Sequence, residues 1–354
     1  MGFSFSFTGG DFGDENLHKE LVRKTEEQNW EIIIGGNRVY QIDVRRRKKI
    51  PIMSMAEQRN YVWSMTSLSP DGQWLALKRG AKLPPFKTDL VLLNWKEFRS
   101  EVKPLQKLIQ CPLPDYDIEG FAWAPTKYSL AVSARKWSDE DQTRGRDRKY
   151  DVYEFSIDTN EMRRLPIEQI SSLGANAWSI ENQLAYKSVD NTLEKLDAEN
   201  RGEKLRNISD LALYDFNSGT IKNLFAGDFP SWSQKGLLTY LDFPEEDLAV
   251  LAPSKNPDEG HQYKDRYYTY NLRTGEKRLL LESKQPRGTN GAIFSPIVWS
   301  PDGQYILFGR QSGFTGSTDD LYAMEVATGK ETLICRGVDM LFAGHASWVA
   351  IKVK

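Results

Sequence analysis

A five-residue string that occurs twice constrains this chain more than any other feature. Ser69-Pro70-Asp71-Gly72-Gln73 runs into the apolar stretch Trp74-Leu75-Ala76-Leu77, and Ser300-Pro301-Asp302-Gly303-Gln304 runs into Tyr305-Ile306-Leu307-Phe308. Asp-Gly supplies the positive backbone angle that a tight two-strand turn demands, so each copy reads as a β-hairpin. Weaker copies fill the interval at Trp123-Ala124-Pro125, Trp178-Ser179 and Trp232-Ser233. Each is followed by polar residues and a β-prone run: Leu130-Ala131-Val132, Leu184-Ala185-Tyr186 or Leu237-Leu238-Thr239-Tyr240. A sixth copy reads from Leu341-Phe342-Ala343-Gly344-His345 into Trp348-Val349-Ala350-Ile351-Lys352-Val353. The anchors Leu68, Trp123, Trp178, Trp232, Trp299 and Phe342 therefore mark one supersecondary unit repeated along the chain, the signature of a propeller or solenoid.

Each hairpin has a second half. Leu211-Ala212-Leu213-Tyr214-Asp215-Phe216 meets the turn Asn217-Ser218-Gly219, and Leu321-Tyr322-Ala323-Met324-Glu325-Val326 meets Thr328-Gly329. Tyr268 to Leu272 and Val152 to Phe155 repeat the pattern. Four strands per unit make a propeller blade. At the ends, the last copy has only its first two strands, while Val39 to Val44 and Lys49 to Ile52 form a second half with no first. The expected fold is therefore all-β: a six-bladed propeller of four-stranded antiparallel blades, whose ring closes by pairing N- and C-terminal strands. Closure removes the exposed sheet edge that invites aggregation. The expected boundaries are an N-terminal arm over 1–28, with a short helix from Glu15 to Gln28 capped by Asp14, and a propeller over 29–354 with its split blade in 29–53 and 338–354.

The run Trp-Ser-Pro-Asp-Gly-Gln-Tyr-Ile-Leu-Phe, then Asp-Leu-Tyr, then a Thr-Gly turn resembles the WD40-like repeat of TolB-like propellers, also seen in non-catalytic domains of prolyl oligopeptidase relatives. The resemblance covers about residues 30 to 354 and is strongest in the fifth blade. It implies that the Asp-Gly hairpins share one face and the second-to-third-strand loops share the other. Insertions fall in those second loops, at Lys136 to Lys149, Ser188 to Ser209, Asp242 to Arg266 and Gly309 to Asp319. Loops on a rigid scaffold are where binding usually sits.

Composition narrows the partners. The 47 basic and 49 acidic residues nearly cancel, so no global field draws nucleic acid or an anionic membrane. Two cysteines, Cys111 and Cys335, are too few for a disulfide framework. Neither a signal-peptide pattern nor a run of ~18 apolar residues occurs, so a cytoplasmic protein is expected. Chemistry is equally sparse. A Gly-x-Ser-x-Gly nucleophile elbow is absent, and His18, His261 and His345 sit in no triad context. Asp139-Glu140-Asp141 and Asp319-Asp320 lack the spacing of a calcium loop. The basic run Arg45 to Lys49 falls where a turn between outer strands belongs, and the recurring tryptophans belong between adjacent blades. No catalytic residue, metal site or cofactor is expected.

These observations imply a non-catalytic protein-binding scaffold, monomeric by itself, that binds a protein partner through its loop-rich face and through the N-terminal arm, with no nucleic acid or membrane partner. Binding residues are expected at the channel mouth on that face, at Glu119, Asn176, Asp228, Ser295 and Asp339, and in the mixed-charge loop at Arg144, Arg146 and Arg148. The alternative is an enzyme or small-ligand binder in which Glu119, Asp228 and Asp339 converge in the central channel. Phe3, Phe5 and Phe7 alternate with Ser, a pattern that suits adding a strand to a partner's sheet or packing across the propeller's own rim.

Overall fold

In the computed structural model the repeat motif closes its own turn. Ser69 Oγ donates to Asp71 Oδ1 (2.7 Å), which also accepts the Gln73 N–H (3.0 Å), while Ser69 Oγ accepts the Trp74 N–H (2.9 Å). Ser300, Asp302, Gln304 and Tyr305 reproduce this arrangement. Gly72 sits at φ +69°, where a Cβ would also meet Ile351 Cδ1 at 2.1 Å, so glycine is favoured in this turn. The structure describes residues 12–35, 38–53, 61–82, 87–100, 108–111, 115–137, 149–188, 210–242, 264–285, 291–293, 295–312, 319–338 and 346–351.

Six four-stranded antiparallel sheets form the ring. The first complete blade contains β4 (Tyr61–Leu68), β5 (Trp74–Ala81), β6 (Thr88–Asn94) and β7 (Leu108–Gln110), with a short helix α2 (Trp95–Ser100) after β6. The second has β8 (Tyr116–Trp123), β9 (Ser129–Lys136), β10 (Asp151–Ser156) and β11 (Glu161–Arg164). The third has β12 (Ile170–Ser172), β13 (Gln183–Ser188), β14 (Asp210–Asp215) and β15 (Thr220–Ala226). The fourth comprises β16 (Asp228–Trp232), β17 (Leu237–Asp242), β18 (Arg266–Asn271) and β19 (Lys277–Glu282), and the fifth β20 (Val298–Trp299), β21 (Tyr305–Gln311), β22 (Asp319–Glu325) and β23 (Glu331–Val338). Side chains from the middle strands pack against the next blade, so the core is a set of seams rather than one centre.

Closure departs from the expected two strands from each end. The split blade is ordered β24-β1-β2-β3, with β1 (Trp30–Ile34), β2 (Tyr40–Asp43) and β3 (Lys48–Pro51) from the N-terminal side and β24 (Ala346–Ala350) alone from the C-terminal side. Trp30-Glu31-Ile32-Ile33-Ile34 is a β-branched run that fills the second-strand place, pairing from Trp30 with Ala350 to Ile34 with Ala346. Trp348 consequently holds the sixth anchor position, on the innermost strand, and the expected anchor Phe342 lies outside the described residues.

The helix α1 (Glu15–Glu27) forms as its cap predicts, with Asp14 Oδ1 accepting the N–H groups of Asn16 and Leu17. It lies across the rim between the fifth and split blades, burying Leu17 and Leu21 against Ile32, Tyr40, Ile42, Val44 and Ile334. Just before it, the chain pairs with the edge of β23: Leu333 N–H donates to Phe12 O (3.0 Å) and Asp14 N–H to Glu331 O (2.8 Å). The basic run is indeed the β2–β3 turn, but it is not merely solvated. Arg45 pairs with Glu26, while Arg47 binds Glu15 (2.9 Å) and the Leu333 carbonyl (3.1 Å).

Acids of the repeat turns tie neighbouring elements together. Asp71 Oδ2 accepts the Tyr128 hydroxyl of the second blade (2.5 Å), and Asp302 Oδ2 accepts Lys24 Nζ of α1 (2.9 Å). Burial acts to raise both carboxyl pKa values, yet the hydrogen bonds outweigh it: Tyr128, Ser69 and Gln73 on Asp71, and Lys24, Ser300 and Gln304 on Asp302 hold both below the ordinary aspartate range. The same contact pushes the Tyr128 hydroxyl up to about 12. A depressed folded-state pKa contributes stability above the unfolded value of about 3.9, lost as pH falls through the folded value. The urea midpoint is therefore expected to fall between pH 5 and pH 3, with Asp302→Asn lowering it at pH 7 and flattening that decline. An Asp302→Asn protein with the unaltered pH profile would remove this carboxylate from the account.

Candidate functional site

Consecutive strands are antiparallel, so each blade sends its first-to-second turn to one face and its second-to-third connection to the other. Three connections on the second face are long: the chain leaves at Lys136, Ser188 and Asp242 and resumes at Asp151, Asp210 and Arg266. The fourth expected insertion is shorter than the sequence implies, because β21 continues through Gly309 to Gln311.

Near that face the innermost strands are bulged. Pairing slips between Ser64 and Thr66 in β4, Ile118 and Gly120 in β8, Ile170 and Ser172 in β12, and Asp228 and Ser231 in β16. A bulge re-aims a side chain. Glu119 and Asp228 both lie at such slips, and both meet a lysine on the second strand of the preceding blade. Lys78 Nζ is 3.1 Å from Glu119 Oε2 and 2.7 Å from the Glu119 carbonyl, and Lys187 Nζ is 2.7 Å from Asp228 Oδ2. The lysine side chains are mostly buried. Each carboxylate–ammonium pair bridges two adjacent blades, the geometry of a latch between them.

The other expected site residues scatter. Ser295 does not line the mouth but is fully buried: its Oγ accepts the Gly309 N–H (2.8 Å) and its carbonyl accepts the Tyr267 hydroxyl (2.9 Å). Asn176 stands at the opposite mouth, because β12 ends at Ser172 and the chain leaves the sheet before the Trp178–Leu184 bridge. Arg144, Arg146, Arg148 and Asp339 lie outside the described residues, as do His261 and His345. Among the described residues no three His, Cys, Asp or Glu side chains form a metal-binding group, and no helix is long and apolar enough to cross a membrane. Cys111 and Cys335 are both buried, and burial pushes the Cys335 thiol pKa up.

On the hairpin-turn face the channel opens into a cavity of about 280 Å³. Its wall carries Leu68, Trp123, Trp178, Trp232, Trp299 and Trp348, one anchor from each blade. The indoles serve the seams as expected: Trp123 Nε1 donates to Ser67 O and Trp232 Nε1 to Ala177 O (both 2.9 Å), and Trp299 Nε1 to Thr239 Oγ1 (2.8 Å). Those acceptors lie in the preceding blade each time.

With this geometry established, comparison with known proteins is informative about the fold. TolB from Acinetobacter baumannii superposes with a TM-score of 0.60 at 12% identity, over 91% of this chain and 66% of that one. The fold is that of the TolB-like six-bladed propellers. A chain of the nidogen/laminin complex matches at a TM-score of 0.54 and 9% identity, over 90% of this chain and 98% of that one. Oligogalacturonate lyase in complex with manganese matches at 0.51 and 12%, over 88% and 75%. Residues 244–351 match the family model of the dipeptidyl peptidase IV (DPP IV) N-terminal region, whereas no curated protein matches in sequence. The fold is thus shared with at least one enzyme, the lyase, so fold alone does not fix function.

Proposed function

We propose that this TolB-like propeller is a non-catalytic interaction module that presents its loop-bearing face to a protein partner. The observation that carries this reading is the concentration of long connections after Lys136, Ser188 and Asp242 on one face of a ring whose other face is built of tight turns except for the β6–β7 connection, which carries α2. Variable loops held by a rigid scaffold are the common architecture of binding surfaces. The pairing of Glu119 with Lys78 and of Asp228 with Lys187 supports it, since two of the three acids of the alternative channel site are engaged in holding blades together. Residues 12–27 are committed to the propeller's own rim, so in this reading the loops carry the partner and the arm assists only through residues 1–11. The protein-bound nidogen/laminin chain is an analogy of fold, and the lyase shows why fold alone does not decide.

The test replaces 189–209 and 243–263 of the full chain with Asn-Gly turns, leaving every described strand intact. Proteins co-purifying with the parent are expected to be lost from this variant while its circular dichroism is unchanged. A Glu119→Gln, Asp228→Asn double variant is expected to retain them. Equal recovery by the loop variant would overturn the proposal, and loss only in the double variant would favour chemistry in the channel.

A further inference from the structure

The hairpin-turn mouth has a property that neither the loop-face reading nor the seam role of its tryptophans explains. It is a two-tier collar. Below lie the six anchors, and two residues further along each blade lie Pro70, Pro125, Ile180, Gln234, Pro301 and Ala350. Not one of the lining residues is ionisable, although charged residues make up 27% of the chain. An anion buried among them would meet no cationic side chain on the wall. Four indole N–H groups are already engaged, including Trp178 with Asn182 Oδ1, so those four rings donate nothing inward, whereas the buried Trp348 Nε1 has no partner among the described residues. The side-chain amides of Asn176 and Gln234 likewise hydrogen-bond to no described residue.

We infer that this mouth is a second binding site, for a compact uncharged ring compound that places an apolar edge against the anchor tier and hydroxyl groups against Asn176 and Gln234. A phenol and a neutral pyranose share this chemistry. The cavity, about 280 Å³, lies at the small end of ligand pockets and suits one ring. The site faces away from the loop face, so it is independent of the protein-partner reading.

Five of the ten tryptophans line the cavity, so indole emission reports occupancy. The full chain is titrated with p-cresol and with methyl glucoside, and in parallel with their charged counterparts, 4-methylbenzoate and methyl glucuronide. At least one neutral probe is expected to give a saturable change, identifying which source the site prefers, with its charged counterpart about tenfold weaker or more. Gln234→Lys lies at an exposed rim position and should fold normally by circular dichroism. It is expected to weaken the neutral probe about tenfold and to improve the charged one. Three results would overturn the site: no saturable response to either neutral ring, equal binding of charged and neutral members of a pair, or unchanged titrations in the folded Gln234→Lys protein.

Discussion

Gly120→Ala is expected to destabilise the propeller by about 3 kcal/mol, as forced overpacking of a closed backbone contact does. A Cβ built on Gly120 would lie 2.0 Å from the Leu173 carbonyl oxygen and 3.3 Å from Met65 Cε. The first of these is backbone, so no side-chain rotation relieves it. Gly120 is therefore where the inner segments of three blades converge: its own β8, the bulge of β4 at Met65, and the chain beyond β12 at Leu173. Gly80→Ala is the control, because its Cβ would meet Thr88 Cγ2 at 3.4 Å and the Val62 carbonyl oxygen at 3.9 Å, both ordinary contacts. That change is expected to be neutral or to stabilise by about 0.5 kcal/mol through the unfolded state. Urea midpoints of the two variants decide the matter, and equal midpoints would mean that the inner seam is looser than these distances require.

The blades were legible because the hairpin chemistry is local. Ser-x-Asp-Gly carries its own hydrogen bonds, and an apolar run must follow it, so β5 and β21 could be placed from a few residues each. Closure is a different kind of fact. It depends on which of two apolar segments, Trp30 to Ile34 or the stretch around Leu341, pairs with the last strand, and no local rule ranks them. The β-branched content of Glu31-Ile32-Ile33-Ile34 was the available signal, overshadowed by the more regular alternation of Tyr40 to Asp43.

The candidate site was half legible for the same reason. Glu119 and Asp228 could be found by their distance from the tryptophan anchor, yet their partners looked like ordinary strand lysines. One signal does exist: Leu75-Ala76-Leu77-Lys78 and Leu184-Ala185-Tyr186-Lys187 share a pattern, and each lysine precedes its acid by 41 residues. Asn176 and Ser295 failed because irregular inner segments shift the register. A residue counted back from Trp178 leaves the sheet after β12, and one counted back from Trp299 falls under Tyr267.

The single strand β24 leaves closure short of covalent connections, and α1 straps the seam that it leaves. Leu21 is 1% exposed and packs among Tyr40, Ile42, Val44 and Ile334, while Glu20 accepts the Tyr305 hydroxyl (2.8 Å) and Lys24 binds Asp302 and Gln304 of the fifth blade. Leu21→Ala removes the apolar centre of this strap and is expected to cost about 3 kcal/mol. Arg23→Ala loses only an exposed pair with Glu27, worth at most about 0.5 kcal/mol. The location of the loss discriminates more sharply than its size. If the strap governs closure, amide exchange in Leu21→Ala should accelerate first in β1, β24 and β23, with β9 and β13 on the far blades protected as before. Uniform acceleration around the ring would assign α1 to general stability, and an unchanged midpoint would show that five backbone pairs between β1 and β24 hold the ring without it.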